Sequence, residues 1–418
     1  MGARFQAPRG TFDVLPGSAA ARERLAAAAR SVLSRAGYGA IETPAFEDTE
    51  LFERGVGQST DIVRKEMFTF EDKGGRSLTL RPEGTAPICR AYVEHGMHKL
   101  AQPVKLWYAG AFFRHERPQA GRYRQFHQIG AEVIGSDSPL ADAELIVIFH
   151  DLLTELGVPG IELRLGSLGS GAGRAAYLDE LRAHLRSREG DLSREVRERI
   201  DLNPLRAFDA EDEGTRAVMA DAPTILERLE GEDAEHLAAV RERLEAEGIE
   251  YTLDGTLVRG LDYYTRTIFS FVCDRLGSQS EIGGGGRYDG LVEQLGGPAT
   301  PAAGWAAGVE RILIALDEPE GEEERDVFVA IVEQAERGRA MALVNELRRA
   351  GISAELDLGD RGLKGQLKHA DRIGARRTVI LEGDGTAQLR DMDSGAQRPV
   401  EPGELVDELT AGERLPPP

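Results

Sequence analysis

The sequence predicts an α+β protein in two parts, with a helical insertion inside the first part. In residues 1–325, strand-like segments recur among helices, which is typical of a largely antiparallel sheet. Within that part, residues from about 170 to 250 show helical periodicity and carry many charges. After the acidic segment 317–325, strands and helices alternate strictly through 326–418, which indicates a small parallel or mixed sheet covered by helices.

The composition is that of an ordinary globular protein of 418 residues, with 41% hydrophobic and 29% charged residues. No apolar run approaches the roughly 20 residues that a membrane-spanning helix needs, and the N-terminus lacks the apolar core of a signal peptide. The two cysteines, Cys89 and Cys273, lie far apart and lack metal-ligand spacing. We therefore expect a cytoplasmic protein with no membrane partner, no disulfide framework, no metal site made by side chains and no prosthetic group.

The net charge of −21 argues at first against a nucleic-acid partner, because phosphate binding favours a basic surface. The charge is unevenly distributed, however. Acidic residues concentrate in 187–250 and 317–325, whereas basic residues concentrate in 113–128 and 360–377. Local basic patches can bind RNA on an acidic protein, although a solvated helix face explains 360–377 equally well.

The first helix is predicted over residues 18–37, where Ser18 precedes an Ala- and Leu-rich amphipathic run and Gly37 ends it. In the insertion, charged helical runs flank a break at 202–209. We interpret the insertion as a helical cap over a site in the larger part.

The second part is predicted to contain three strands and two helices, assigned from buried apolar runs and helical periodicity. In chain order they are a strand at 326–332, a helix at 335–351, a strand at 352–358, a helix at 363–374 and a strand at 377–383.

The most informative stretch is the basic segment 113–128, which lies between two apolar runs. The flanking runs at 105–113 and 129–135 predict the two strands of a hairpin, and Pro118 and Gly121 indicate a loop between them. Its charged side chains include Arg114, Glu116, Arg117, Arg122 and Arg124. Guanidinium groups match phosphate geometry, although charge alone also fits a solvated hairpin.

The order Arg-x-Glu, basic loop and aromatic residue resembles motif 2 of class II aminoacyl-tRNA synthetases. Six further segments narrow the resemblance to the histidyl-tRNA synthetase family. They are the opening at 8–16, motif 1 at 38–47, the amino-group segment at 78–90, two histidine-specific segments at 257–271 and 283–291, and motif 3 at 304–316. The resemblance implies a class II catalytic domain with an antiparallel sheet and a helical insertion, followed by a C-terminal α/β anticodon-binding domain.

The same resemblance implies ATP-dependent activation of L-histidine to histidyl-adenylate and its transfer to the 3′ end of tRNA(His). ATP would enter with Mg²⁺ as a substrate, and motif 1, with Pro44 at the end of its strand, would form the contact of a homodimer. The alternative is a non-catalytic, histidine-binding regulatory paralogue, which typically lacks the C-terminal domain. A synthetase for another small amino acid is a third interpretation, disfavoured by the segment from Arg259 to Tyr264 and by Glu132.

Fixed positive charge is needed to bring a carboxylate and a triphosphate together. By resemblance, Arg114 holds the substrate carboxylate and the α-phosphate, and Arg259 contacts the α-phosphate in place of a metal ion. These two are the predicted catalytic residues. The predicted ATP-binding residues are Arg114, Glu116 for the adenine amino group, Arg122, Phe126 as a stacking ring and Arg311 at the γ-phosphate. From the residues alone, the charge at Arg259 between apolar neighbours marks either a strand end or a site.

Histidine recognition needs an acceptor for the imidazole N–H and an anion for the ammonium group. Strand alternation places Gln128, Gly130 and Glu132 on one face, so one hairpin edge can bind a small substrate. By resemblance, the predicted histidine-binding residues are Glu83, Gly84, Thr85, Arg114, Gln128, Glu132, Arg259, Tyr263, Tyr264 and Tyr288. Glu132 and Tyr264 are assigned to the imidazole. The glycines 283–286 either let backbone approach the ligand or form a flexible hairpin tip.

Two groups of residues are predicted to contact tRNA. Gln119 and Arg122 are candidates for the acceptor end. Arg361, Lys364 and Lys368 are candidates for the anticodon side.

Overall fold

The computed structural model describes residues 5–58, 60–277, 280–317, 325–383, 385–401 and 403–411. Backbone contacts divide these residues into two compact units, one with most of 5–317 and the other with most of 325–411. Residues 318–324 of the predicted linker lie outside the described residues. The predicted domain boundary after residue 325 stays a prediction. Of the helices described, none has the length and apolar character to cross a membrane.

The larger unit contains ten α-helices and eleven strands among its described residues. The helices are α1 Pro16–Arg35, α2 Thr49–Gly55, α3 Thr85–Glu94, α4 Pro139–Glu155, α5 Gly171–Ser187, α6 Arg194–Arg197, α7 Glu213–Met219, α8 Gly231–Ala246, α9 Leu291–Gln294 and α10 Val309–Leu316. The strands are β1 Gly39–Ala40, β2 Phe46–Asp48, β3 Phe68–Glu71, β4 Ser77–Leu80, β5 Val104–Phe113, β6 Gln125–Ile134, β7 Ile161–Ser167, β8 Thr252–Leu253, β9 Thr265–Cys273, β10 Glu281–Arg287 and β11 Ala302–Gly308.

The main sheet has eight strands in the order β1-β5-β6-β11-β10-β9-β7-β8. Its central strands are antiparallel, and only the short edge strands β1 and β8 pair in parallel with their neighbours. The sheet confirms the predicted α+β class. β2, β4 and β3 form a separate three-stranded sheet.

The predicted hairpin is confirmed as β5 and β6, which pair without a break from Val104 opposite Ile134 to Phe113 opposite Gln125. β6 begins four residues before the predicted strand, so the basic loop shortens to 114–124. Phe126 therefore lies on a strand rather than in the loop, and Gln128 lies on the same strand as Glu132, as strand alternation predicted. The pairing fixes which of their side chains share a face.

One face of the main sheet packs against α1, α4 and α8 in a continuous apolar core. The ring of Phe149 on α4 stacks on that of Trp305 on β11, with 4.3 Å between the centroids. Leu25 on α1 and Leu244 on α8 are 1% and 0% exposed. The opposite face packs in part against a second apolar core, which includes Tyr92 of α3 and Leu291 of α9, and it also builds the site.

The glycine run 283–286 lies inside the central strand β10, so the hairpin-tip alternative is wrong. A Cβ atom on Gly285 would lie 1.9 Å from the carbonyl oxygen of Gly304, and one on Gly284 would lie 2.4 Å from that of Phe269. Distances this short exclude a side chain. The glycines are needed because neighbouring backbones approach closely.

Three further expectations differ from the structure. α1 begins at Pro16 instead of following Ser18, because proline is well suited to the first helical position. The predicted break at 202–209 holds a 3₁₀ helix, Pro204–Asp209. Pro44 lies four residues beyond β1 rather than at its end, because β1 ends at Ala40.

The smaller unit consists of β12 Arg325–Ile331, α11 Arg337–Arg349, β13 Ala354–Leu356, α12 Leu363–Arg372, β14 Ala375–Leu381, β15 Ala387–Asp391, β16 Gln397–Val400 and α13 Leu405–Ala411. Its sheet has the order β13-β12-β14-β15-β16. The first three strands are parallel, as their βα connections require, and β15 and β16 add an antiparallel hairpin that the sequence did not predict. The sheet is therefore mixed.

A buried ion pair joins the end of β10 to α4. Arg287 is 0% exposed and donates to the carboxylate of Asp142 and, at 2.8 Å, to the carbonyl oxygen of Ser136. His236 of α8 lies 3.4 Å from the same carboxylate. Burial alone would raise the pKa of Asp142, but its contacts with His236 and Arg287 outweigh burial and hold the pKa below its usual value.

We predict that Asp142→Asn lowers the free energy of unfolding by about 3 kcal/mol at pH 7, because the buried Arg287 then keeps, among the described residues, only the partly exposed Asp289, 3.0 Å away, as a carboxylate partner. Because the pKa of Asp142 is lowered in the folded protein, the ion pair adds its full stabilisation to the free energy of unfolding above pH ~4. This stabilisation is lost as the pH falls through the folded-state pKa. Urea unfolding between pH 7 and pH 3 should show the deficit of the variant narrowing in acid. Asp151→Asn, an exposed change on the same helix, should cost less than about 0.5 kcal/mol, and an equal loss there would contradict the assignment.

Candidate active site

A cavity of about 840 Å³ opens on the other face of the main sheet, within the larger unit. Its floor is the backbone of β10 and β11, one side is β6 with the loop 114–124, and the insertion forms the opposite side. The structure brings most of the predicted site residues to this cavity. They are Glu83, Gly84, Thr85, Arg114, Glu116, Arg122, Phe126, Gln128, Arg259, Tyr263, Tyr264 and Arg311.

Arg114 follows directly after β5 and is held from two sides. Its Nε donates to the carbonyl oxygen of Pro82 at 2.8 Å, and its guanidinium lies 5.3 Å from the centre of the Phe126 ring. Glu116 is 3.8 Å from Arg114 and 3.5 Å from Arg122. The hairpin thus delivers two cations, a carboxylate and an aromatic ring to one end of the cavity.

Arg311 approaches the same end from the first turn of α10. Its Nε donates to the carbonyl oxygen of Gly121 at 3.3 Å, and its Nη1 donates to that of Glu281. Burial lowers the pKa of Arg311, and the neighbouring cations Arg122 and Arg114 act in the same direction. Positive charge is therefore concentrated here in a partly desolvated place, where an anion would be stabilised.

Arg259 lies between β8 and β9, so it is a cavity residue and not a strand end. Its Nη1 donates to Oε1 of Glu281 at 2.6 Å, and its guanidinium lies 5.9 Å from the centre of the Tyr264 ring. Burial alone would lower the pKa of Arg259, but the Glu281 carboxylate outweighs it and leaves the pKa raised. The guanidinium rests on β10, where a Cβ on Gly284 would approach Nη1 to 2.8 Å.

At the other end, Glu83 and Gln128 supply oxygen acceptors. Glu83 accepts from the backbone N–H groups of Thr85 at 2.7 Å and Ala86 at 3.0 Å, where α3 begins. Burial raises the pKa of Glu83, and these two bonds oppose the rise. The buried Oε1 of Gln128 has no hydrogen-bond partner among the described residues, so it can accept from a ligand.

Glu132 was expected to contact the imidazole directly, but it lies behind this end of the cavity and does not line it. It is 0% exposed, and it accepts from Oγ1 of Thr85 at 2.8 Å and from the hydroxyl of Tyr288 at 2.5 Å. Burial raises the pKa of Glu132 to about 8. A Cβ on Gly304 would lie 1.6 Å from Oε2, so the glycine makes room for this carboxylate. Tyr288, also expected to line the cavity, is likewise behind the wall at 1% exposure.

Among the cavity-lining residues to which sequence reasoning gave no role, Tyr108 and Glu281 have the clearest contacts with the predicted site. Tyr108 fills the space between Gly84 and Gly130, where added Cβ atoms would lie 2.6 and 2.4 Å from its ring, and its hydroxyl has no hydrogen-bond partner among the described residues. Glu281 pairs with Arg259. A tyrosine in an apolar strand predicts only core, and a glutamate before a glycine run carries no local signal. Their role depends on distant residues.

The insertion closes the remaining side, which confirms its interpretation as a cap. Arg206 donates to the carbonyl oxygen of Gly260 at 2.7 Å, next to Arg259 in the chain. Asn203 donates to Asp262 at 2.9 Å. These bonds attach the cap to the segment that carries Arg259.

The residues predicted to contact tRNA lie outside the cavity, except Arg122. Gln119 forms a reciprocal backbone bridge with Arg122 at the tip of the loop. In the smaller unit, Lys364 and Lys368 are exposed one turn apart on α12. Arg361 precedes the helix and donates to Asp357 through both its guanidinium and its backbone N–H, so part of its charge is already compensated.

Comparisons with known proteins agree with this architecture. The family described as histidyl-tRNA synthetase matches residues 10–312, and the anticodon binding domain matches residues 326–411. A histidine–tRNA ligase of Rubrobacter xylanophilus is 49% identical over 96% of this chain and 97% of its own length. One from Streptomyces avermitilis is 47% identical over 97% of this chain and 99% of its own length.

Solved structures give the same result. A crystal structure of apo histidyl-tRNA synthetase from S. aureus superposes with a TM-score of 0.82, at 34% identity, over 97% of this chain and 100% of that one. A Bacillus halodurans protein described as an ATP phosphoribosyltransferase regulatory subunit/histidyl-tRNA synthetase reaches 0.68 at 24% identity, over 92% of this chain and 100% of that one, and shows the shared fold alone. The near-full-length identity to ligases supports an enzyme over the regulatory alternative, and the chain belongs to the histidyl-tRNA synthetase family of class II aminoacyl-tRNA synthetases.

Proposed function

We propose that the cavity binds L-histidine and ATP side by side and joins them as histidyl-adenylate. The observation that carries this proposal is the convergence of Arg114, Arg259 and Arg311 on one cavity whose other end presents oxygen acceptors. The histidine carboxylate would attack the α-phosphate in line, and pyrophosphate would leave. Two anions must approach each other, so preorganised cations supply most of the rate.

The three arginines divide the phosphate contacts. Arg114 would bind the histidine carboxylate and the α-phosphate together. Arg259 stabilises charge on the α-phosphate as it transfers, and Arg311 binds the γ-phosphate of an ATP that enters with Mg²⁺. Glu116 accepts from the adenine amino group, with Phe126 beneath the base.

The end of the cavity that presents the oxygen acceptors would bind histidine. Glu83 and Gln128, with Thr85, hold the ammonium group, and Tyr263 and Tyr264 line the ring. Glu132 lies behind the cavity wall and accepts a hydrogen bond from the Thr85 hydroxyl. We propose that this hydroxyl rotates away when histidine binds, so that the imidazole N–H donates to Glu132 in its place. A buried carboxylate there disfavours side chains that would leave it unpaired.

In the second step the 3′ end of tRNA(His) would take the histidyl group, with Gln119 and Arg122 near the acceptor end. Arg361, Lys364 and Lys368 would bind the anticodon side. We also propose a homodimer formed through the segment that resembles motif 1. A cytoplasmic location is consistent with Cys89 and Cys273, which are buried free thiols as in proteins of reducing compartments.

The direct test is amino-acid-dependent exchange of pyrophosphate into ATP, run with each of the twenty amino acids. We expect exchange with histidine alone, followed by charging of tRNA(His). Histidine binding without exchange would overturn the proposal and favour the regulatory alternative.

We predict that Arg259→Ala slows adenylate formation by about 10²–10³-fold while changing histidine affinity far less, because its charge matters most in the transition state. Rapid-quench measurement of a single turnover separates the two effects. Arg164→Ala removes a half-exposed arginine outside the cavity and should keep the parent rate. A rate within a few-fold of the parent for Arg259→Ala would remove it from the mechanism.

We predict that Glu132→Gln weakens histidine binding about tenfold or more and leaves ATP binding intact. Because the pKa of Glu132 is raised to about 8, its carboxyl is largely protonated at pH 7. If the ionised form accepts the imidazole N–H, histidine affinity of the parent should improve as the pH rises from 7 to 9. Calorimetric titration of both proteins over this range tests this, because protonation of free histidine affects both proteins equally and drops out of the comparison. Identical pH profiles would mean that Glu132 serves the fold and not histidine recognition.

We predict that Lys364→Ala with Lys368→Ala lowers the salt dependence of tRNA(His) binding, because each lost phosphate contact reduces the slope of log K against log salt by about 0.7–0.9. Filter binding at several salt concentrations gives the slope, and pyrophosphate exchange should be unchanged. Lys73→Ala with Lys99→Ala removes two exposed lysines of the larger unit as a control. Equal slopes for all three proteins would rule out α12 as an RNA contact.

A further inference from the structure

Glu281, at the start of β10, contacts two of the three arginines that are proposed to hold the ATP phosphates. Its side-chain Oε1 accepts from Nη1 of Arg259 at 2.6 Å. Its backbone carbonyl accepts from Nη1 of Arg311. No role for this residue was predicted from the sequence, and the proposed reaction does not use it.

The two members of the Glu281–Arg259 pair differ in how firmly they are held. The Arg259 side chain is 14% exposed and is fixed between the backbone at Gly284 and the ring of Tyr264. The Glu281 side chain is 43% exposed and faces the cavity. The carboxylate can therefore move away while the guanidinium stays in place.

Glu281 also carries its charge at neutral pH. Burial would raise the pKa of Glu281, but the neighbouring Arg259 outweighs burial and holds the pKa below its usual value. A phosphate oxygen that took the same donor of Arg259 would meet this carboxylate at close range. Two anions a few ångströms apart repel, and the repulsion is stronger in a partly desolvated cavity than in water.

We infer that Glu281 is a competing counter-ion that sets the affinity for ATP: the triphosphate must displace its carboxylate from Arg259 in order to bind. Glu281 is thus a positioning residue for Arg259. Without ATP it pairs with the guanidinium, and it limits how tightly the triphosphate is held. The inference rests on the proposed function, since it takes Arg259 as a phosphate contact.

Displacement of the Glu281 carboxylate should affect the two substrates differently. Any ligand with a phosphate near Arg259 must displace the same carboxylate. Histidine, by contrast, is proposed to be held mainly by its ammonium and imidazole groups, whose partners Glu83 and Gln128 do not contact Glu281, even though Arg259 is also predicted to bind it. Removing the charge of Glu281 should therefore increase the affinity for ATP and leave the affinity for histidine nearly unchanged. A gain in affinity for one substrate alone is not an effect that general damage to the fold produces.

The test compares the full-length parent with Glu281→Gln, which keeps an oxygen acceptor for Arg259 and removes the charge. Calorimetric titration gives the dissociation constants for Mg²⁺–ATP and, separately, for histidine. We expect the constant for ATP to fall about tenfold, the effect of removing one nearby like charge at an intermediate dielectric constant. The constant for histidine should stay within twofold of the parent.

A second variant and a control make the result specific. Glu281→Ser removes the same charge with a smaller side chain and should tighten ATP binding in the same direction. Glu162→Gln removes one negative charge from an exposed position on β7, outside the cavity, and should leave ATP affinity at the parent value. Equal tightening in that control would assign the effect to net charge and overturn the inference.

The outcomes separate this inference from the proposed function. A parent that binds no ATP would refute the proposed function itself. A parent that binds ATP, with both Glu281 variants folded and binding ATP no more tightly, would refute only the role of Glu281. Retained histidine affinity in the variants shows that they are folded.

Discussion

The close approach of β10 to its two neighbouring strands is the constraint on which the rest of the larger unit depends. At Gly284 and Gly285 a side chain would come within 2.4 and 1.9 Å of carbonyl oxygens across the sheet. Any larger residue would push the strands apart. Because the same strand is the floor of the cavity, its bare backbone also gives Arg259 a surface to rest on. One feature of packing thus sets both the sheet and the site.

Buried charge is the second organising feature, and each charge is held by specific partners. Arg287 pairs with Asp142 across the core, Arg259 pairs with Glu281 over the floor, and Glu83 accepts from the first turn of α3. Burial of a lone charge is costly, so these pairings keep the charged groups in place within the fold. The structural pair is sealed from solvent, whereas Glu281 stays open to the cavity and so can exchange partners.

Much of the site was predictable because the resemblance named residues that local patterns could not connect. Arg114, Arg259 and Arg311 are spread over nearly half of the chain, and no periodicity links them. The structure brings them to one cavity, although their roles remain proposals. Tyr108 and Glu281 were missed because each is ordinary in its own segment. Their importance comes only from the glycines and arginines that face them.

The sequence by itself determined the elements with strong local signals: the hairpin of β5 and β6, the amphipathic α1, the helical insertion and the alternating strands and helices of the smaller unit. These depend on apolar periodicity and turn residues, which act over a few positions. Only the tertiary structure decided that the glycine run is a central strand, that Glu132 lies behind the cavity wall, and that β15 and β16 extend the second sheet. Strand pairing and buried contacts join residues far apart in the chain, and local propensity carries no information about which distant partner will be met.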